Sequence, residues 1–317
     1  MKAIRTILLM LVAWAATFGA AQATVLIVRS EEGGAYAQAQ DALQAELEKA
    51  GRARSEVRQQ TLADFQLSSI PEPTRLIVAL GANAFRAAMK RSNGLPVLAA
   101  LLPRTVFERI LREAPAKSAA MATAVFLDQP LGRQLDLLHL AFPEARKVGI
   151  LLGPETAGTL APLQAMAVSR KLQIVSASAP QSADLYPALR SVMETADVLL
   201  ATADPSIYNS ASISNVLLST YRARVPVQAF SPAYVRAGAV LALYSTPEQI
   251  GQQAAELARV VLSGGSLPPP AFPAAFEVDV NEHVARSLGL RLDEDALRER
   301  LLRLERSDRQ ERQERRP

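Results

Sequence analysis

Two histidines and no cysteine are what this 317-residue chain brings to metal, nucleophilic and acid–base chemistry. The missing thiols exclude disulfide scaffolds, cysteine nucleophiles, Cys-ligated zinc and iron–sulfur clusters. His139 lies in the apolar helical run Leu135-Asp-Leu-Leu-His-Leu140 and reads as a core or boundary histidine, while His283 follows the cap residue of a terminal helix. Two isolated imidazoles without spacing partners make no metal site. Asp293 and Asp295 pair two carboxylates inside a run of mixed charge, where solvation is the expected role. The turn after the first apolar run, Arg29-Ser30-Glu-Glu-Gly33-Gly34, lacks the G-x-G-x-x-G that cradles a dinucleotide, and neither a P-loop nor a G-x-S-x-G elbow occurs. No enzyme, cofactor or metal is therefore expected.

The remaining chemical hint is charge. A net charge of +4 and a pI near 9.5 point first to nucleic acid. The ends of the chain weaken that reading. Met1-Lys-Ala-Ile-Arg5, an apolar run from Ile7 to Phe18 and then Ala21-Gln-Ala23 form a charged start, a short apolar stretch and an A-x-A cleavage site. The run is shorter than the roughly 20 residues a spanning helix needs. A signal peptide cleaved after Ala23 is expected, with a periplasmic mature protein that neither spans the membrane nor carries a lipobox cysteine. Without Lys2 and Arg5 the net charge falls to +2. The tail from Arg291 to Pro317 holds nine arginines against eight acids and no aromatic residue. It reads as a solvated charged helix fraying into disorder, with partner docking through Leu297, Leu301, Leu302 and Leu304 as the alternative. No nucleic-acid partner is expected.

Between these ends one unit repeats. Thr24-Val-Leu-Ile-Val28 is the continuous apolar run of a buried parallel strand, followed by the Gly33-Gly34 turn and a helix with Tyr36, Gln40, Leu43 and Leu47 at helical spacing. Further strands are expected at Ser55 to Gln59, Arg75 to Leu80, Leu95 to Leu101 and Ala122 to Phe126. The pattern restarts at Lys147: Val148 to Leu152 matches the first strand, Asp197 to Ala201 matches Leu76 to Leu80, and Val225-Pro-Val matches Leu95-Pro-Val. The chain reads as an α/β protein of two Rossmann-like lobes with parallel sheets, as two copies of one unit. Ala237 to Tyr244 and the helix begun by Thr246-Pro247-Glu248 read as an extra strand–helix unit, which implies that the chain crosses between lobes more than once.

The segments Val225 to Ser245, Gly251-Gln-Gln-Ala-Ala-Glu-Leu-Ala, Leu262-Ser-Gly-Gly and Asn281 to Leu290 resemble the substrate-binding proteins of ABC transporters with a type 1 periplasmic binding protein fold. Within these the chain is similar to the group whose better-known members bind aromatic amino acids. The resemblance covers Thr24 to Leu290 and implies three inter-lobe crossovers, placed near Phe126 to Pro130, Phe230 to Ser231 and Gly265 to Pro270. Residues 24–127 with 231–264 would form one lobe, 128–230 with 265–290 the other, and 291–317 the tail.

Such a fold takes its ligand in an inter-lobe cleft, at the carboxyl ends of the strands. The candidate binding residues on that basis are Ser30, Tyr36, Gly81, Asn83, Asp128, Gln129, Thr156, Asp204, Tyr208, Ser231 and Tyr244. Gly81, Gly153 and Gly158 serve equally as turn glycines. Asp204 before Pro205 is a natural helix cap, yet the family has an acid at this strand end that would suit the amino group of an amino-acid ligand. The tyrosines supply an apolar wall with a polar tip. The chain departs from the amino-acid-binding members at Asp204-Pro-Ser-Ile-Tyr-Asn209, where those have asparagine or threonine-rich turns, and adds Glu31 and Glu32 after the first strand.

The implied mechanism is ligand capture by lobe closure, with hinges near Asp128 to Pro130, Ser231 and Gly264 to Ser266. The partners are a small-molecule ligand, with an amino acid as the first candidate, and an ABC permease that reads the closed monomer. A membrane sensor such as a sensor kinase is the alternative reader, and a ligand-free envelope scaffold a third possibility.

Overall fold

A computed structural model describes residues 24–314; the leader expected to end at Ala23 lies outside the described residues. The chain gathers into two compact units. The first comprises the chain up to Leu101 with Ile110–Val125 and Gly251–Pro270, the second Leu102–Arg109, Phe126–Ile250 and the chain from Ala271.

The first unit is built on β1 (Thr24–Arg29), β2 (Val57–Thr61), β3 (Thr74–Leu80), β4 (Val97–Leu102) and β5 (Ala122–Phe126), in the sheet order β2-β1-β3-β4-β5. Its helices are α1 (Gly34–Lys49), α2 (Leu62–Leu67), α3 (Ala82–Arg91) and α5 (Ala116–Ala119), with α4 (Arg104–Glu113) starting in the second unit and returning to the first at Ile110. β1 runs parallel to β2 and β3, and β3 parallel to β4. Val25 to Val28 and Leu76 to Leu80 are all buried. Helices cover both faces of such strands, so their sequence is continuously apolar rather than alternating. β2, Val-Arg-Gln-Gln-Thr, buries only Val57 and closes one edge.

The second unit contains β6 (Lys147–Leu152), β7 (Gln173–Ser178), β8 (Val198–Leu200), β9 (Val227–Ala229), β10 (Leu241–Tyr244) and β11 (Glu277–Val280), ordered β11-β10-β9-β8-β6-β7. Its helices follow as α6 (Leu131–Ala141), α7 (Leu160–Val168), α8 (Leu185–Met193), α9 (Ile213–Arg222) and α10 (Pro232–Ala237). Then come α11 (Pro247–Leu262), which passes into the first unit after Ile250, and α12 (Glu282–Ser287) and α13 (Glu294–Glu314) of the second unit. Read from β7, the first five strands repeat the order of the first unit, a doubly wound arrangement that leaves loops at the carboxyl ends free for a ligand. β11 is added antiparallel to β10 at the edge. Alternate side chains feed opposite layers: Val148, Ile150 and Leu152 enter one core with Val198 and Leu243, while Leu151 and Leu199 enter the other with Val227 and Ala242.

Two expectations are corrected. The strand read as an extra unit of the first lobe is the fifth strand of the second sheet: Leu241 and Ala242 pair in parallel with Gln228 and Ala229. The chain accordingly leaves the second unit after Ile250, within α11, and not at Phe230 to Ser231. The chain also passes between the units after Val125 and after Pro270, and makes a short excursion into the second unit over Leu102–Arg109. The tail, in turn, is no solvated appendage. Leu297 and Leu301 of α13 are buried in the second unit's core, Leu302 packs against it, and Leu304 is exposed.

Candidate functional site

In the first unit the ends of β1 and β3 meet. Ser30, just past β1, donates its N–H to the Leu80 carbonyl at 2.9 Å, and its Oγ accepts from the Ala84 N–H at 2.9 Å. It thus caps α3 from another strand. Gly81 has φ of +90°, and a Cβ there would lie 2.6 Å from Ser30 Oγ and 2.7 Å from Tyr36 Cε1. Both the backbone conformation and the crowding call for glycine. Ser30, Tyr36 and Gly81 are therefore brought together. Burial, followed by the nearby Glu31 carboxylate, raises the Tyr36 hydroxyl above its ordinary pKa. Asn83 is exposed and accepts from Arg86 at 3.3 Å. Beside this cluster an open depression of about 360 Å³ is lined by Arg29, Ser30, Glu31, Glu32, Thr61 and Gln66, among others.

In the second unit the equivalent strand ends are tied by Asp204, which is fully buried. Its Oδ2 accepts from the N–H of Glu155 at 3.2 Å, the N–H of Thr156 at 3.1 Å and Thr156 Oγ1 at 2.9 Å. Its Oδ1 accepts from the N–H and hydroxyl of Ser206 at 3.0 and 2.6 Å. Thr156 Oγ1 also accepts from the Gly153 N–H at 3.1 Å. A Cβ on Gly153 would sit 2.4 Å from Ser206 Oγ and 2.5 Å from Asp204 Oδ2, so the loop closes on the carboxylate only through glycine. Asp204 and Thr156 are brought together as a lock between the loops after β6 and β8. The carboxylate that the resemblance offers to an amino group spends both oxygens on the chain itself.

Next to this lock stands an aromatic group. The Tyr208 ring meets Phe230 edge-on at 6.2 Å and Tyr234 at 6.5 Å, and Phe230 lies 4.7 Å from Tyr234. Tyr234 donates its hydroxyl to the Tyr208 carbonyl at 2.9 Å. The Tyr208 hydroxyl is buried and has no hydrogen-bond partner among the described residues, and the same holds for Thr202 Oγ1 just past β8. Burial, reinforced by Tyr234 and Asp204, pushes the Tyr208 phenol well above its ordinary range, so the hydroxyl stays a neutral donor. Ser231 stands at the start of α10 without capping it through its side chain. Tyr244, at the end of β10, is half-buried. Desolvation raises its pKa first, then the carboxylates of Asp279, Glu277 and Glu294.

Asp128 and Gln129, the site candidates in the first expected hinge segment, both hold contacts within the chain. Asp128 accepts from the Arg104 N–H at 2.5 Å and so caps α4. Burial lifts its carboxyl to about 6 against the pull of that hydrogen bond. Gln129 is buried, donates to Ser245 Oγ at 2.8 Å and accepts from Arg133 Nη1 at 2.7 Å. Sequence reasoning passed over Thr202, Phe230, Tyr234 and Arg133. Thr202 and Phe230 had the signal of a post-strand position, and Tyr234 that of a helix start three residues after Ser231. Arg133 showed only helical spacing with Leu137 on an otherwise apolar face. Among the described residues no cluster of acids and histidines fit for a metal ion occurs, and no helix is long and apolar enough to cross a membrane.

The model of the ABC transporter substrate binding protein family matches residues 38–300. Among solved structures, the chain is similar to a conserved domain protein of Vibrio cholerae O1 biovar El Tor, 19% identical with a TM-score of 0.62 over 87% of this chain and 97% of that one. It is similar to an ABC domain from Streptococcus pneumoniae solved with L-Trp, at 15% identity and a TM-score of 0.62 over 87% and 98% of the two chains. It is also similar to the ligand-free, open structure of a Clostridium difficile substrate binding protein with adhesive properties, at 18% and 0.66 over 86% and 96%. No curated protein sequence matches. With two mostly parallel α/β sheets in type 1 periplasmic binding protein order and a family match over most of its length, the chain belongs to the ABC transporter substrate-binding proteins, a typically extracytoplasmic family that binds small ligands and works with ABC permeases.

Proposed function

We propose that the protein captures a small polar ligand, an amino acid in the first instance, at the carboxyl ends of its strands in the periplasm and delivers it to an ABC importer. The observation that carries this reading is the buried, unpartnered hydroxyl of Tyr208, whose ring meets those of Phe230 and Tyr234, together with that of Thr202 earlier in the same post-strand loop. A buried hydroxyl without a partner costs about 1–3 kcal/mol, a cost that a hydrogen-bonding ligand removes. The L-Trp found with the similar Streptococcus pneumoniae structure supports an amino acid. The segments after Val125 and Pro270 serve as hinges in this reading, the ligand favouring the closed state by its differential contacts.

A thermal-shift screen of the purified protein against amino acids, nucleosides and small sugars tests it. A ligand at a hundred times its Kd stabilises the folded state by about 2.7 kcal/mol. An amino acid that raises the melting temperature is the expected result. A response to sugars alone overturns the amino-acid reading, and silence across the panel overturns small-molecule capture.

A further inference from the structure

The C-terminal helix runs past residue 300, where the family match stops, and what it grips lies far from it in sequence. Glu305, on α13, pairs with Nε of Arg133, whose side chain is only 5% exposed. Arg133 Nη1 donates to Gln129 Oε1 at 2.7 Å and to the Pro273 carbonyl at 2.9 Å, and its guanidinium lies 4.6 Å from the centroid of Phe276. Gln129 in turn donates to Ser245 Oγ, which donates to the Ala275 carbonyl at 2.6 Å. The two segments so joined, Gln129 and Pro273 to Phe276, closely follow two of the places where the chain enters the second unit, after Val125 and after Pro270. They are also linked by the Phe126 N–H donating to the Ala271 carbonyl at 2.9 Å and by the Phe126 and Phe272 rings at 5.2 Å.

We propose that α13 is a clamp on these two crossover segments: Glu305 fixes the Arg133 side chain, and Arg133 holds Gln129 and the Pro273 carbonyl together. Arg133 and Glu305 are positioning residues for any hinge at the crossovers, and neither need touch a ligand. The physical reason is the state of Arg133. A buried guanidinium must keep its fork satisfied, and with Glu305 in place the fork has one geometry that spans both segments. Without the carboxylate, Arg133 is left with an uncompensated charge. It then moves toward water and releases Gln129 and Pro273. The proposal is independent of the ligand's identity, so it can fail while the capture reading stands.

Backbone hydrogen exchange on the purified full chain tests it, comparing the wild type with Glu305→Ala and Glu305→Gln. In Glu305→Ala the amides of Phe126, Leu127 and Gln134 should exchange roughly tenfold faster or more, while those of Leu76 to Leu80 in the first unit keep their rates. Glu305→Gln, which keeps the shape and an acceptor, should fall between. Glu305 is partly exposed, so both variants are expected to fold, and retained protection in β3 confirms that in the same experiment. Faster exchange confined to α13 itself, or spread evenly over the molecule, overturns the clamp.

Discussion

Asp204 and Tyr208 stand four residues apart in one loop and do opposite things. Asp204 is saturated by donors from Glu155, Thr156 and Ser206. Hydrogen bonds to a charged group are worth about 1.5–3 kcal/mol each in stability. Asp204→Asn turns one acceptor oxygen into a donor facing other donors, and a loss of about 2–4 kcal/mol in urea unfolding is expected. Gly153→Ala should cost about 1–3 kcal/mol, because the Ser206 hydroxyl can rotate away but the locked carboxylate cannot. Tyr208→Phe removes a hydroxyl that bonds to nothing in the described chain, so the unfolding midpoint should hold or rise. If that hydroxyl binds ligand, affinity measured by calorimetry for a ligand found in the screen falls about tenfold. Unchanged affinity would release Tyr208 from the site. Sequence showed both residues through their post-strand position, but the helix-cap reading of Asp204 does not hold: its bonds to Ser206 close a turn, and the next helix, α9, starts only at Ile213. The partners of Asp204 across the other loop could not be read, because Thr156 and Asp204 meet only once β6 and β8 lie side by side.

At the scale of elements, Asp128 ties the segment after β5 to the start of α4. Its carboxyl titrates near 6 in the folded chain against an ordinary 3.8, so the folded state holds the proton more tightly than the unfolded one. The sign follows: its contribution to stability is most favourable below pH 4 and declines as pH rises to 6, by on the order of 2 kcal/mol. Asp128→Asn keeps an acceptor for the Arg104 N–H and removes the ionisation. Relative to wild type it should therefore gain stability between pH 4 and pH 7, read as a growing difference in denaturation midpoint. A constant difference across that range would show that the carboxyl is well solvated. Strands buried on both faces were legible as apolar runs, since that pattern needs no partner to interpret. The owner of β10 was not legible. Its run Leu-Ala-Leu-Tyr fits either sheet, and only its pairing with Gln228 and Ala229 assigns it to the second. Counting strands per copy would have found it, because the second lobe, as read, lacked a fifth.

At the scale of the molecule, repetition decides the architecture and an addition modifies it. Two sheets with the same five-strand order put two sets of loops at carboxyl strand ends, and one copy carries β11 and α13 beyond the repeat. The alternating charge of the tail suggested solvent on all sides, because local pairs such as Arg303 with Glu299 satisfy a helix by themselves. The leucines decide otherwise. Leu301 is fully buried with Leu135, Val278 and Leu297 in one core of the second unit. Cutting it to alanine removes about 2–5 kcal/mol from that core and leaves the first unit's core without a change of contact. The two units should then part company in stability. Calorimetry of Leu301→Ala is expected to show a lower first transition that carries the second unit, with protection of Val25 to Val28 and Leu76 to Leu80 retained until a later one. A single transition lowered as a whole would instead mean that the two units unfold as one cooperative body, and that α13 stabilises the entire molecule through the second core.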